Sequence, residues 1–167
     1  TAGIVELEYA SIQKSFGIFD APCRGTIEIQ GNEKLEFIDR LSTQKLLDVE
    51  EGDALLTFIV NQKGRIIADA IIRHLGEKLW IDVDITVVKT LVEHFNNYIV
   101  TEDVTIEDIT NQLHWIWCVG PSSLESNMGT VEPHKLPIDL LGIEGTAFAS
   151  HPDKTKQLWE TLIESGG

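Results

Sequence analysis

Asp69 sits in an alternating stretch, residues 65–74, whose even positions Ile66, Ala68, Ala70 and Ile72 are all apolar. Those positions are expected to face a core, which turns Arg65, Ile67, Asp69, Ile71 and Arg73 the other way. A carboxylate held mid-strand between Ile67 and Ile71 is costly unless something polar meets it. Partial burial beside other acids is also what makes a carboxylate a proton acceptor or a ligand anchor near neutral pH. The following stretch, residues 79–83, sends Leu79, Ile81 and Val83 inward and leaves Trp80, Asp82 and Asp84 on the side of Asp69. Glu28 joins that side by the same count, opposite Ile27 and Ile29. Glu28 and Asp82 read as ordinary solvated charges, and Asp84 has a competing use as a helix cap. For Asp69, chemistry alone leaves ligand anchor and surface charge equally open.

Periodicity and turn chemistry predict the elements that position these groups. Val5, Tyr9, Ile12 and Phe16 recur at helical spacing, so an N-terminal helix is expected to end near Gly17. A strand over 26–30 stops at Gly31, and Asn32 is placed to cap a helix burying Leu35, Ile38 and Leu41. Residues 55–60 are apolar on both faces, as in a central strand. Asn61-Gln62-Lys63-Gly64 supplies the turn into the Asp69 strand, and Gly76-Glu77-Lys78 the turn after it. Asp84 or Thr86 caps a helix carrying Val88, Leu91, Val92 and Phe95, and a strand follows over 104–109. A shorter cycle comes next, with a strand over 114–119, a short helix from Gly120-Pro121 to near Gly129, and two strands flanking 142–145. Pro152 opens a last helix, packed by Trp159, Leu162 and Ile163 and stopped by Gly166. Hairpins mixed with helices, without regular βαβ alternation, predict an α+β fold of antiparallel sheets covered by helices.

Composition narrows the partners. Of 167 residues, 27 are acidic and 13 basic, a formal charge of −14 that repels phosphate backbones and anionic lipid. Nucleic acid and membrane are therefore not expected partners, and no apolar run approaches the ~20 residues that cross a bilayer. Cys23 and Cys118 stand far apart in no metal-ligand spacing, and the histidines form no i, i+4 pair, so no metal site is expected. Reduced thiols and the lack of a basic-then-apolar leader point to a cytoplasmic chain. Because the chain starts at Thr1 and not Met, an upstream segment is expected to be missing.

Several runs together carry a family likeness. Phe19-Asp20-Ala21-Pro22-Cys23-Arg24-Gly25, then Phe37-Ile38-Asp39-Arg40-Leu41-Ser42-Thr43 and Glu51-Gly52, lead into Asn61-x-x-Gly64-Arg65-Ile66-Ile67-x-Asp69. This pattern resembles the N-terminal half of the glycine-cleavage T-protein (aminomethyltransferase) and YgfZ-like folate-binding superfamily. The resemblance implies one lobe over 25–110, a second discontinuous lobe from 1–24 plus 111–167, and absence of the family's C-terminal barrel domain. It implies tetrahydrofolate as cofactor, with Asp69 catalytic beside the reacting part of the folate and Asn61, Asp84 and Trp80 completing the binding face. It further implies a lipoyl carrier or an iron–sulfur protein as partner. A chain of half the family's length would expose normally covered apolar surface, so a homodimer is also expected.

The departures from the family pattern bear on activity. T-proteins place tyrosines where this chain has Leu56 and Arg73. Their pterin-gripping glutamate falls where this chain has Ala147, within Gly142-Ile143-Glu144-Gly145-Thr146-Ala147. Losing such a carboxylate would remove about 2–4 kcal/mol of recognition unless Glu144 takes its place. The resemblance thus favours a folate-binding YgfZ-like role, linked to iron–sulfur cluster assembly or repair, over catalysis. An aminomethyltransferase moving a methylene group onto tetrahydrofolate is the alternative. A scaffold domain that has lost folate is the third reading.

Overall fold

The computed structural model describes residues 16–120, 133–140 and 143–164. The chain divides into two units, Cys23–Asn111 and the discontinuous Thr1–Pro22 with Gln112–Gly167. In chain order the strands are β1 (Gly17–Asp20), β2 (Arg24–Gln30), β3 (Ala54–Val60), β4 (Ile66–His74), β5 (Lys78–Asp84), β6 (Thr105–Asp108), β7 (His114–Val119), β8 (His134–Leu140) and β9 (Ile143–Ser150). The helices are α1 (Lys34–Asp39), α2 (Val88–Asn96) and α3 (Thr155–Glu164). The fold is α+β, with every strand pairing antiparallel.

The unit Cys23–Asn111 is one five-stranded sheet in the order β3-β4-β5-β2-β6. Its inward positions, Ile27 and Ile29 on β2, Ala68, Ala70 and Ile72 on β4, and Leu79, Ile81 and Val83 on β5, join Phe37 and Ile38 of α1 and Leu91 and Phe95 of α2. Two helices on one face dry that side of the sheet, and the rings of Phe37 and Phe95 meet edge to face at 6.3 Å. Asp84 caps the turn Ile85–Val87 that leads into α2, its Oδ1 accepting from the Thr86 amide at 2.8 Å and hydroxyl at 2.5 Å. The cap of α1 differs from expectation. Glu33 holds the N-cap position without a side-chain cap bond, its carboxylate accepting instead from the Asp103 amide at 2.6 Å, while Asn32 Nδ2 donates to Asp103 at 2.7 Å.

β3 is an edge strand, not a central one. Its apolar residues on both faces leave Leu56 54% and Phe58 43% exposed. Part of the edge is covered by 41–43, which gives the Val60 amide to the Leu41 carbonyl and the Thr43 amide to the Phe58 carbonyl.

The other unit has a four-stranded sheet in the order β1-β7-β9-β8. Ile116 and Cys118 of β7 and Phe148 of β9 meet Leu158 and Leu162 of α3 together with Phe16. Burial pushes the Cys118 thiol up to about 12, so it stays a protonated core group. Ile163, expected in this packing, is instead exposed on α3. Gly17 opens β1, where a helix end was expected. The rest of the N-terminal helix, the helix after Pro121 and the stop at Gly166 lie outside the described residues. No described helix is long and apolar enough to cross a membrane.

Candidate functional site

The turn between β3 and β4 is built by Asn61. Its Oδ1 accepts from the Lys63 amide at 2.9 Å and the Arg65 amide at 3.1 Å, while its carbonyl accepts from the Gly64 amide at 2.8 Å. Gly64 takes φ +69°, a left-handed conformation suited to glycine. Past the turn the ladder shifts, with Val60 opposite Ile66 but Ile59 opposite Ala68. Ile67 is therefore the extra residue of a β-bulge, and it packs toward the core together with the next residue, Ala68. Ile66 points outward, 61% exposed, against the expectation that it faces the helices. Counting on by twos from an outward Ile66 would bury Asp69. The bulge is what turns it outward.

Asp69 is thus exposed, opposite Phe58 across the strand pair and flanked along β4 by the buried Ile71. Its carboxylate makes no hydrogen bond or ion pair among the described residues. Ile67, expected as a second outward neighbour, is lost to the bulge, and the exposed Phe58 and Leu56 supply apolar surface instead. The β4–β5 pairing ends at Ile71 opposite Asp82. Asp69 and Asp84 each lie two residues further along their strands, so they flank the place where the strands part. One exposed, unpaired carboxylate beside an exposed aromatic ring can accept N–H donors from a flat ligand or take up a proton.

Further along this face the charges are buried, which corrects the expectation that Glu28 and Asp82 are solvated. Asp82 is 0% exposed and accepts from Arg24 Nε at 2.6 Å and Arg73 Nη2 at 3.4 Å. Burial pushes its carboxyl above the usual aspartate range, and the two guanidiniums offset only part of that rise. Two permanently charged guanidiniums against one carboxyl favour its ionised form at neutral pH. Glu28 accepts from Gln30 at 2.6 Å, Lys78 at 2.7 Å and the Trp80 indole N–H at 2.8 Å. Trp80 lies on the expected face but is 2% exposed, and Lys78 Nζ stands 5.1 Å from its ring centroid. Sequence reasoning missed Phe58 and Arg24. Both follow from strand register, which no local pattern reveals.

These environments set an acid response. Burial raises the Glu28 carboxyl, but the bonds from Lys78, Trp80 and Gln30 outweigh it and hold the group below 4.5. The Thr86 hydroxyl and amide lower Asp84 from 3.8, and the amides of Val100 and Thr101 with Arg40 take Glu102 down to about 2. Burial lowers His94 from 6.5, partly offset by the Val60 carbonyl. For the lowered acids, the stabilisation is present above the unfolded values and lost as pH falls through the folded ones. For His94, folded protonation is disfavoured, so its cost begins as pH falls below 6.5. Urea midpoints are expected to decline in two stages, one beginning near 6.5 and one between 4.5 and about 2. His94→Gln should remove the first stage alone, and a single acid transition in the unsubstituted chain would refute the two-stage account.

Asn61 and Ala147, singled out above, have surroundings of their own. Asn61 serves the turn and lines a depression with Phe37 and Leu41, on the helix side of the sheet and away from Asp69. Ala147 on β9 is fully buried, opposite Trp117 and Leu136. Glu144 stands three residues earlier on the same unbroken ladder and so points to the opposite face. It cannot take the place of a side chain at 147.

Comparison with known proteins adds the following. The family model described as the GCVT N-terminal domain matches residues 1–132. An aminomethyltransferase of Thermotoga neapolitana is 23% identical over 186 residues, covering 96% of this chain and 50% of that protein. A mitochondrial aminomethyltransferase of Dictyostelium discoideum is 26% identical over 129 residues, covering 73% and 32% respectively. The crystal structure of glycine cleavage system aminomethyltransferase T from Bartonella henselae superposes with a TM-score of 0.77 at 14% identity, over 94% of this chain and 48% of that one. The chain thus spans about half the length of two of these relatives and a third of the other.

Proposed function

Because the chain belongs to the GCVT N-terminal domain family, we propose that it is an aminomethyltransferase-type protein whose Asp69 face takes tetrahydrofolate. The observation that supports this most is the unpaired, exposed carboxylate of Asp69 beside Phe58 on the outer face of the sheet. A reduced pterin offers N–H donors on a flat ring, which suits an acceptor carboxylate next to an aromatic side chain. In this reading Asp69 accepts those donors and serves as the proton-accepting group, and Phe58 and Leu56 shield one side of the ring from water. Asp84 reaches the same opening from β5, with one oxygen committed to its cap. The folate itself would receive a one-carbon unit carried on a lipoyl-bearing partner.

A second reading, a scaffold domain that has lost folate, is favoured by Ala147, whose buried methyl supplies no carboxylate. The iron–sulfur branch of the resemblance stands behind both, since the relatives above are aminomethyltransferases.

Titrating the chain with tetrahydrofolate while following tryptophan emission tests the proposal. Saturable quenching is expected, weakened about 10- to 100-fold by Asp69→Asn, the range for removing a charged acceptor. A wild-type chain that never responds would overturn the folate reading. A response that Asp69→Asn leaves intact would remove Asp69 from the site. If binding is seen, ammonia release from an aminomethylated lipoyl carrier separates transfer from binding alone.

A further inference from the structure

The depression on the helix side of the sheet has a chemistry of its own. It measures about 300 Å³ and is lined by Phe37, Arg40 and Leu41 from α1 and its end, Val60, Asn61 and Gln62 from the hairpin, and Tyr98 and Glu102 from the loop after α2. The half-buried Val60 and Tyr98 supply its apolar surface, and the buried Phe37 lies beneath with the Arg40 guanidinium 6.0 Å from its ring centroid. Arg40 and Glu102 close on each other at 2.7 Å, and the second Glu102 oxygen accepts the amides of Val100 and Thr101 at 2.8 and 3.0 Å. The charges in the lining therefore neutralise one another.

Three uncharged polar groups remain. The Asn61 side chain spends its oxygen on the turn, which leaves its NH2 available. The Gln62 amide and the Tyr98 hydroxyl make no hydrogen bond among the described residues. Tyr98 is held from behind by the His94 ring at 4.7 Å, and His94 is itself tied to the Val60 carbonyl at 3.3 Å. Apolar surface with a few polar groups in the lining is the usual make-up of a small-molecule site.

We infer that this depression is a second ligand site, distinct from the Asp69 face, for a small uncharged heteroaromatic amide or nucleobase-like ring. The class follows from the lining. Donors and acceptors come from Asn61, Gln62 and Tyr98, ring contact comes from the half-buried Tyr98, and no net charge is on offer. Anions are selected against, because Arg40 is engaged by Glu102 and the chain carries −14 overall.

Nicotinamide and its near-isosteric anion benzoate are suitable probes, titrated into the isotope-labelled 167-residue chain and followed by amide chemical shifts. Nicotinamide should shift Phe37, Val60, Gln62 and Tyr98 with a millimolar or tighter Kd, and benzoate should bind at least about tenfold more weakly. Tyr98→Phe and Gln62→Ala, which leave the core and the Asp69 face untouched, should each weaken nicotinamide about 3- to 10-fold. Asp69→Asn should leave it unchanged, so this test stands or falls separately from folate binding. Absence of shifts at these residues, equal binding of benzoate, or indifference to both substitutions would overturn the site.

Discussion

Asp82→Ala is expected to lower the unfolding free energy of the chain by about 3–5 kcal/mol, the range for removing one member of a buried ion pair. The carboxylate is fully buried and touches two guanidiniums, Arg24 at 2.6 Å and Arg73 at 3.4 Å. Arg24 also donates to the Asp82 carbonyl at 2.9 Å, so the pair is anchored through the backbone as well. Truncation leaves two like charges that cannot shed their protons in a place built around a negative one. The loss should come mostly from the like charges brought together without the carboxylate and not from the contact removed. Accordingly, replacing Asp82 by Leu together with Arg73 by Met should recover a large part of it, since apolar groups of similar volume need no counter-charge. Urea unfolding of the wild type and both variants measures this. A cost under about 1 kcal/mol for Asp82→Ala would mean that water reaches the arginines.

Gly31→Ala should cost about 2–6 kcal/mol for a different reason. Gly31 ends β2 with φ +119°, a conformation L residues rarely adopt, and a Cβ there would run into the backbone of Asp103 and Val104. The strained backbone and the overpacked contact each contribute about 1–3 kcal/mol. The junction has little room to yield, because Asp103 also accepts from Asn32 at 2.7 Å and donates its amide to Glu33 at 2.6 Å. Gly64→Ala is the control. Gly64 has φ +69° but nothing within 4 Å of where a Cβ would sit, so only the conformational cost of about 1–2 kcal/mol applies. Equal urea midpoints for the two variants would show that the close approach at Gly31 relaxes without cost.

Much of the scaffold was legible in the residues themselves. Strict alternation sends Leu79, Ile81 and Val83 of β5 into the core, and the 3–4 spacing of Val88, Leu91 and Phe95 does the same for α2. Asp84 as a cap and Asn61-x-x-Gly64 as a turn follow from side chains that bond their own neighbouring backbone. Periodicity, capping and turn chemistry act over a few residues, so a linear reading captures them. The outward aspect of Asp69 was reached by the right parity for an incomplete reason, since the count missed the bulge at Ile67 that exposes Ile66.

Only the tertiary structure decided which charges are solvated and which are buried. Glu28 and Asp82 alternate like any surface carboxylates, and their partners Lys78 and Arg24 lie 50 and 58 residues away. Strand order likewise made β3 an edge, which leaves Leu56 and Phe58 exposed although their composition suits a sheet interior. A carboxylate's role depends on what stands opposite it, and what stands opposite is set by register and pairing across distant segments. The sequence by itself therefore determined that Asp69 is a carboxylate on the face away from the core. Pairing across the sheet leaves it beside Phe58 with no hydrogen bond or ion pair among the described residues, while Asp82 and Glu28 are spent on holding the sheet together.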